Sequence, residues 1–182
     1  MILKTPICAF DAKTGILCAK CESKIKSGNL TYADVEASIK LSKLSEHNLD
    51  ISKFTLTGAL RIEEDLILLL RGSDILALRG NSVLLKKVEQ AFNGKVWFIE
   101  SEATDRRFLE NLFFPAKIMT VNLVWLPDGN KITRVIIAAG KSDQLRSIST
   151  ASTIQKIQKI AKFARNIELL VEFEQKEKEV TN

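Results

Sequence analysis

The spacing of apolar side chains changes along the chain, and each change predicts an element. Thr31 with Asp34 three positions later fits a helix-capping signal, in which hydroxyl and carboxylate satisfy the free amides of a first turn. A helix is predicted over 32–46, because Tyr32, Val35, Ile39 and Ser42 recur at steps of three and four. Phe54, Leu56, Gly58, Leu60 and Ile62 then alternate with Thr55, Thr57 and Arg61, the period of a half-buried strand. After the polar turn Glu63-Glu64-Asp65, the run 66–70 is apolar on both faces and suits a central strand. A short helix over 73–78, a break at Arg79-Gly80-Asn81-Ser82, a second helix over 83–92 and a stop at Asn93-Gly94 lead to a third strand over 96–99. The predicted order is α-β-β-α-α-β.

The same order recurs, so an internal duplication organises the chain. A short helix over 105–112 ends before Pro115, Met119, Val121, Leu123 and Trp125 alternate along a strand, and Pro127-Asp128-Gly129-Asn130 turns it. A second strand is predicted over 135–138. After a polar stretch, Ile154, Ile157, Ile160, Ala161 and Ala164 mark one face of a helix, and Ile167, Leu169, Val171 and Phe173 alternate along a last strand. The expectation is an α+β fold with one module over 31–102, a second over 103–175 and a charged tail over 176–182. Residues 1–30 stand apart, with too few large apolar side chains for a core of their own, and are expected to form a small appendage.

Composition narrows the class. Of 182 residues, 46% are hydrophobic and 27% charged, with no low-complexity tract, which is the make-up of a folded domain rather than a disordered one. No run reaches the length of a membrane span, and the first residues lack the charged-then-apolar order of a secretory signal, so a cytoplasmic protein without a membrane partner is expected. All three cysteines fall within 8–21 and cannot staple the rest of the chain. Instead Cys8, Asp11, Cys18 and Cys21 form a C-x2-D-x6-C-x2-C pattern around Lys13-Thr14-Gly15. Paired ligands three residues apart are how small zinc ribbons close a tetrahedron, and carboxylate is an accepted fourth ligand. One structural Zn²⁺ in a zinc-ribbon-like segment is therefore expected, with reduced, non-ligating thiols as the alternative and His47, the sole histidine, as a substitute for Asp11.

Two stretches carry a family likeness. Residues 77–85, Ala-Leu-Arg-Gly-Asn-Ser-Val-Leu-Leu, continuing to Asn93-Gly94-Lys95-Val96, are similar to the KH core in which a GxxG loop opens the second central helix. Residues 108–118, Phe-Leu-Glu-Asn-Leu-Phe-Phe-Pro-Ala-Lys-Ile, look like the junction between the tandem KH domains of NusA. With the repeated α-β-β-α-α-β order, the chain resembles the archaeal NusA-like transcription factors, with two tandem type II KH-like modules spanning about 32–173. The resemblance implies RNA as a partner, RNA polymerase as a second, and a role in elongation or termination. The chain departs from the family at the loop itself. The outer glycine positions of GxxG are Arg79 and Ser82, only the inner Gly80 remains, and no glycine occurs after Gly140.

Charge changes this picture in one place. The net charge of +5 says little alone. Its excess is concentrated late, where Arg146, Lys156, Lys159, Lys162 and Arg165 follow Asp143 with no acid before Glu168. Lys156, Lys159, Lys162 and Arg165 step along a predicted helix, so this stripe is read as an RNA phosphate surface, against a solvated helix face as the alternative. Around the degenerate first loop, Arg79, Gly80, Asn81, Ser82, Lys86 and Lys87 form a second candidate RNA surface, in which cations replace lost glycine backbone contacts, with a solvated helix end as the alternative. Trp97 and Trp125 are expected to be sheet-packed rather than base-stacking. No nucleophile set, paired catalytic carboxylates or phosphate-cradling loop is present, and neither an enzyme nor a small-molecule substrate is expected. A ribosome-associated or small-subunit assembly protein, and a protein adaptor whose modules no longer bind RNA, are the remaining alternatives.

Overall fold

The computed structural model describes residues 3–93, 95–138, 146 and 148–174. Among these, the chain is α+β, with seven α-helices and two three-stranded sheets. It divides into two compact units, Met1–Thr104 and Asp105–Asn182.

The first unit runs α1 Ala9–Thr14, α2 Ala19–Lys26, α3 Tyr32–Glu46, a 3-10 turn Ile51–Lys53, β1 Leu56–Ile62, β2 Asp65–Leu70, α4 Gly72–Gly80, α5 Ser82–Ala91 and β3 Val96–Glu100. Helix α3 starts where the capping box predicts. The Thr31 hydroxyl accepts from the Asp34 N–H, and Asp34 Oδ2 accepts from the Thr31 N–H at 2.7 Å. The other carboxylate oxygen accepts the Ala59 N–H at 2.6 Å, which fastens the start of α3 to β1. At Gly58 a Cβ would lie 3.3 Å from that oxygen, so glycine keeps the approach open.

Strand β2 is central, antiparallel to β1 and parallel to β3, and the parallel pair requires the crossover that α4 and α5 supply. Leu66, Leu68, Leu70 and Val96 face a core completed by Ala37, Leu41, Ile75, Leu78, Leu84 and Val88. Ile67 on the opposite face of β2 is fully buried as well, which accounts for an apolar run without alternation.

The second unit runs α6 Asp105–Phe113, β4 Ile118–Trp125, β5 Lys131–Ile137, α7 Ala151–Arg165 and β6 Leu169–Phe173. Strand β5 is central, antiparallel to β4 and parallel to β6. The topology of the first sheet is thus repeated. So is a local irregularity, because the register shifts at the start of the first strand in each sheet, between Leu56 and Gly58 and between Ile118 and Thr120. Helix α7 is capped by Thr150, packs on α6 and β6, and ends at Asn166 in the left-handed region. Residues 139–145 and 147, in the polar stretch before the last helix, and the expected tail over 176–182 lie outside the described residues.

The structure departs from the sequence expectation at several points. The first thirty residues form no ribbon. Cys8 and Cys18 each sit at a helix N-cap, because a C-x2-D or C-x2-C step matches the distance from N-cap to the first helical turn as well as it matches a β-knuckle. Nor does this segment lack a core. Ile7, Ala12, Cys21 and Leu30 pack with Val35 of α3, so the apolar surface missing from the segment is supplied by its neighbour. The four-residue break in the first module shrinks to Asn81 alone, which ends α4 and caps α5 by accepting the Leu84 N–H at 3.1 Å. Finally, Asn93 takes positive φ at the stop after α5, while Gly94 lies outside the described residues.

Candidate functional site

The N-terminal helices bring four donors together. Cys8 is the N-cap of α1 and Asp11 its third residue, while Cys18 is the N-cap of α2 and Cys21 its third residue. The two halves are therefore equivalent, each presenting a cap side chain and one from the first turn toward the same point. The three sulfurs and an Asp11 oxygen all lie within 4.8 Å of one another. A tetrahedral zinc shell with Zn–S near 2.3 Å has edges of about 3.8 Å, so a contraction of about 1 Å closes it.

Hydrogen bonding sorts the donors. Asp11 is fully buried, and its Oδ2 accepts the Cys18 N–H at 3.0 Å. Its Oδ1 is buried with no hydrogen-bond partner, which is costly for a carboxylate unless something else binds it. The Cys18 N–H, and after it the Cys21 thiol, hold the Asp11 carboxyl down to about 2, outweighing burial. Cys21 receives a backbone N–H from Cys8, which favours its thiolate, but burial and the neighbouring Asp11 and Cys18 push the thiol up to about 11. A bound cation reverses that balance, since coordination deprotonates a thiol. Cys8, Asp11, Cys18 and Cys21 could thus hold a metal ion, and three soft sulfurs with one oxygen suit a structural one. His47 is outside the cluster. It follows the last residue of α3 and lines a groove of ≈ 500 Å³ with Lys13, Lys40, Lys43 and Glu46.

At the α4–α5 junction, Gly80, Asn81 and Ser82 are exposed and Arg79 is half-buried. Leu76 and Val83, both apolar, are exposed beside them. Lys86 lines a groove of ≈ 630 Å³ with Glu89, Gln90, Asn93 and Lys95. Lys87 reaches back to Asn48 Oδ1 at 3.0 Å.

The late basic residues are not equivalent. Positions three apart on a helix turn by about 60° backwards at each step, so Lys156 and Arg165 fall on opposite flanks of α7, with Lys159 and Lys162 between them. Arg165 is largely covered, bonded to Asp105 at 2.8 Å, and stacked 4.6 Å from the Phe108 ring centroid, which ties α7 to α6. Lys162 pairs with Glu168 at 2.7 Å. Lys156 and Lys159 are exposed, as is Arg146 in helical backbone ahead of α7. Phe163, one turn beyond Lys159, is 66% exposed, and sequence reasoning missed it because its position adjoins the isoleucine face.

The tryptophans separate. Trp97 is buried and donates to Asp65 Oδ1 at 3.2 Å. Trp125, expected to be sheet-packed, is 64% exposed at the far end of β4, with Lys131 Nζ 4.3 Å from its ring centroid. Burial along β4 falls from Ile118 to the exposed stretch 122–125, and alternation along a strand carries no information about where burial stops. No helix among the described residues is long and apolar enough to cross a membrane.

No family model and no curated protein matches the chain. Among solved structures, one described as "Crystal structure of APE1850" is similar at 18% identity and a TM-score of 0.47, with 74% of this chain and 95% of that chain covered.

Proposed function

We propose that the chain is a non-enzymatic, cytoplasmic RNA-binding protein of the NusA-like type, built from two type II KH-like modules and carrying one structural Zn²⁺ at Cys8, Asp11, Cys18 and Cys21. The observation that carries this reading is the duplicated topology. Each sheet has a central strand antiparallel to one neighbour and parallel to the other, in the same order and with the same register shift at the first strand. In the first unit the full α-β-β-α-α-β order is present, with a one-residue junction between the central helices where a KH domain places its GxxG loop.

The loop chemistry favours loose, phosphate-led binding. Arg79 and Ser82 replace the outer glycines, so close backbone approach is weakened, while Lys86, Lys87, Arg146, Lys156 and Lys159 are exposed cations that suit phosphate contacts. The zinc assignment draws on the donor set and on the orphaned Asp11 oxygen. By family likeness, RNA polymerase is the larger partner. Tagged protein isolated from its own cells after ultraviolet crosslinking should carry RNA and polymerase subunits. Recovery with ribosomal proteins instead, or with neither RNA nor polymerase, would overturn this reading.

The adaptor reading keeps one supporting observation. Within the stripe, Lys162 and Arg165 have carboxylate partners in the chain itself.

A further inference from the structure

The ≈ 500 Å³ groove on the first unit belongs to none of the surfaces assigned above. It is lined by Lys40, Lys43 and Leu44 of α3, by His47 just after that helix, and by Lys13 of α1 and Ala91 of α5, with Lys40, Lys43, Leu44 and His47 spaced so as to share one helical face. Four nitrogen-bearing side chains line it against a single carboxylate, Glu46. Lys40 is already held by Glu36 at 2.9 Å and lies over the Phe92 ring. Lys13 and Lys43 are exposed cations with long reach. Next to His47, Asn48 accepts a hydrogen bond from Lys87 of α5 at 3.0 Å.

Lys13 stands on a helix of six residues, and a helix that short is not stable alone. Its position depends on Ala12 packing against Cys21 and Val35, and on the cluster formed by Cys8, Asp11, Cys18 and Cys21 at its N-terminal end. We propose that this groove binds the phosphate backbone of single-stranded RNA through Lys13, Lys43 and His47, and that metal loading fixes Lys13 in place, so that the metal centre controls RNA affinity. The proposal rests on the RNA-binding and metal readings above, and extends the RNA path to a face outside the KH-like junction.

The test is titration of a fluorescent single-stranded RNA with the full chain at several salt concentrations, comparing wild type, the double variant Lys13→Gln/Lys43→Gln, and Lys26→Gln as an exposed control on α2. Each lost phosphate contact reduces the slope of log K against log salt by about 0.7, so the double variant should lose about 1.4 of slope and, at 0.1 M salt, roughly 25-fold in affinity. Lys26→Gln should change neither. Chelation of the metal should lower wild-type affinity and leave Lys13→Gln little changed, because the contact it removes is already gone. Binding of RNA by the double variant indistinguishable from Lys26→Gln overturns the groove. Equal chelator effects on wild type and Lys13→Gln overturn the coupling. Should chelation unfold the unit, the metal-loaded variants still decide the groove. No RNA binding by any form overturns this proposal and the RNA-binding reading together, and a groove that takes polyglutamate but not RNA assigns it to an acidic protein partner and overturns it alone.

Discussion

Asp34 shows how much one buried carboxylate does in the first unit. It closes the capping box of α3 with Thr31 and also accepts the Ala59 N–H of β1, so the backbone N–H groups of Thr31 and Ala59 lose their acceptor when it is removed. Asp34→Ala should destabilise the protein by about 1–3 kcal/mol in urea unfolding, the range for leaving buried donors unsatisfied. Thr31→Ala, which removes only the cap hydroxyl, should cost about 1 kcal/mol. In the second unit, Arg165 and Lys159 separate a structural cation from a candidate binding one. Arg165→Ala loses the Asp105 bond and the Phe108 stacking, and should lower the melting temperature while leaving the salt dependence of RNA binding unchanged. Lys156→Gln/Lys159→Gln should instead flatten the slope of log K against log salt by about 1.4.

At the scale of elements, α1 and α2 are the pair whose stability depends on chemistry rather than on area. Both are short, and their shared core with α3 is small. Purified protein should therefore hold close to one equivalent of zinc, and Cys18→Ser should release it and remove amide-exchange protection from α1 and α2 while β2 stays protected. Asp11→Cys should retain the metal, because it completes a four-sulfur shell. Metal uptake should release protons, since Cys21 is strongly held as a thiol until a cation arrives, and acidification should expel the metal. Metal-free protein with α1 and α2 equally protected contradicts this account of the segment.

Across the whole molecule, the legible features were those set by neighbours in sequence. Alternation along 54–62 and 119–125, the double-sided apolar run at 66–70, and the Thr31–Asp34 cap predict elements that form, with ends displaced by a few residues. The α+β class follows from them. What stayed hidden depends on residues far apart. The Asp105 that engages Arg165 is sixty positions away, so spacing along one helix could not reveal that the stripe is partly neutralised. Trp125 is exposed because burial along β4 stops before its end, and Cys8 and Cys18 cap helices because the same spacing serves a knuckle or a first turn. The central claim, that a protein with a repeated sheet topology and no GxxG loop at its first module's junction binds RNA mainly through phosphates, is tested most directly by one titration. Zinc-loaded protein should bind unrelated single-stranded RNAs with similar affinities and, with three or more phosphates engaged, a slope of log K against log salt of roughly −2 or steeper. Absence of saturable binding at low salt, or tight binding to one sequence with little salt dependence, would contradict it.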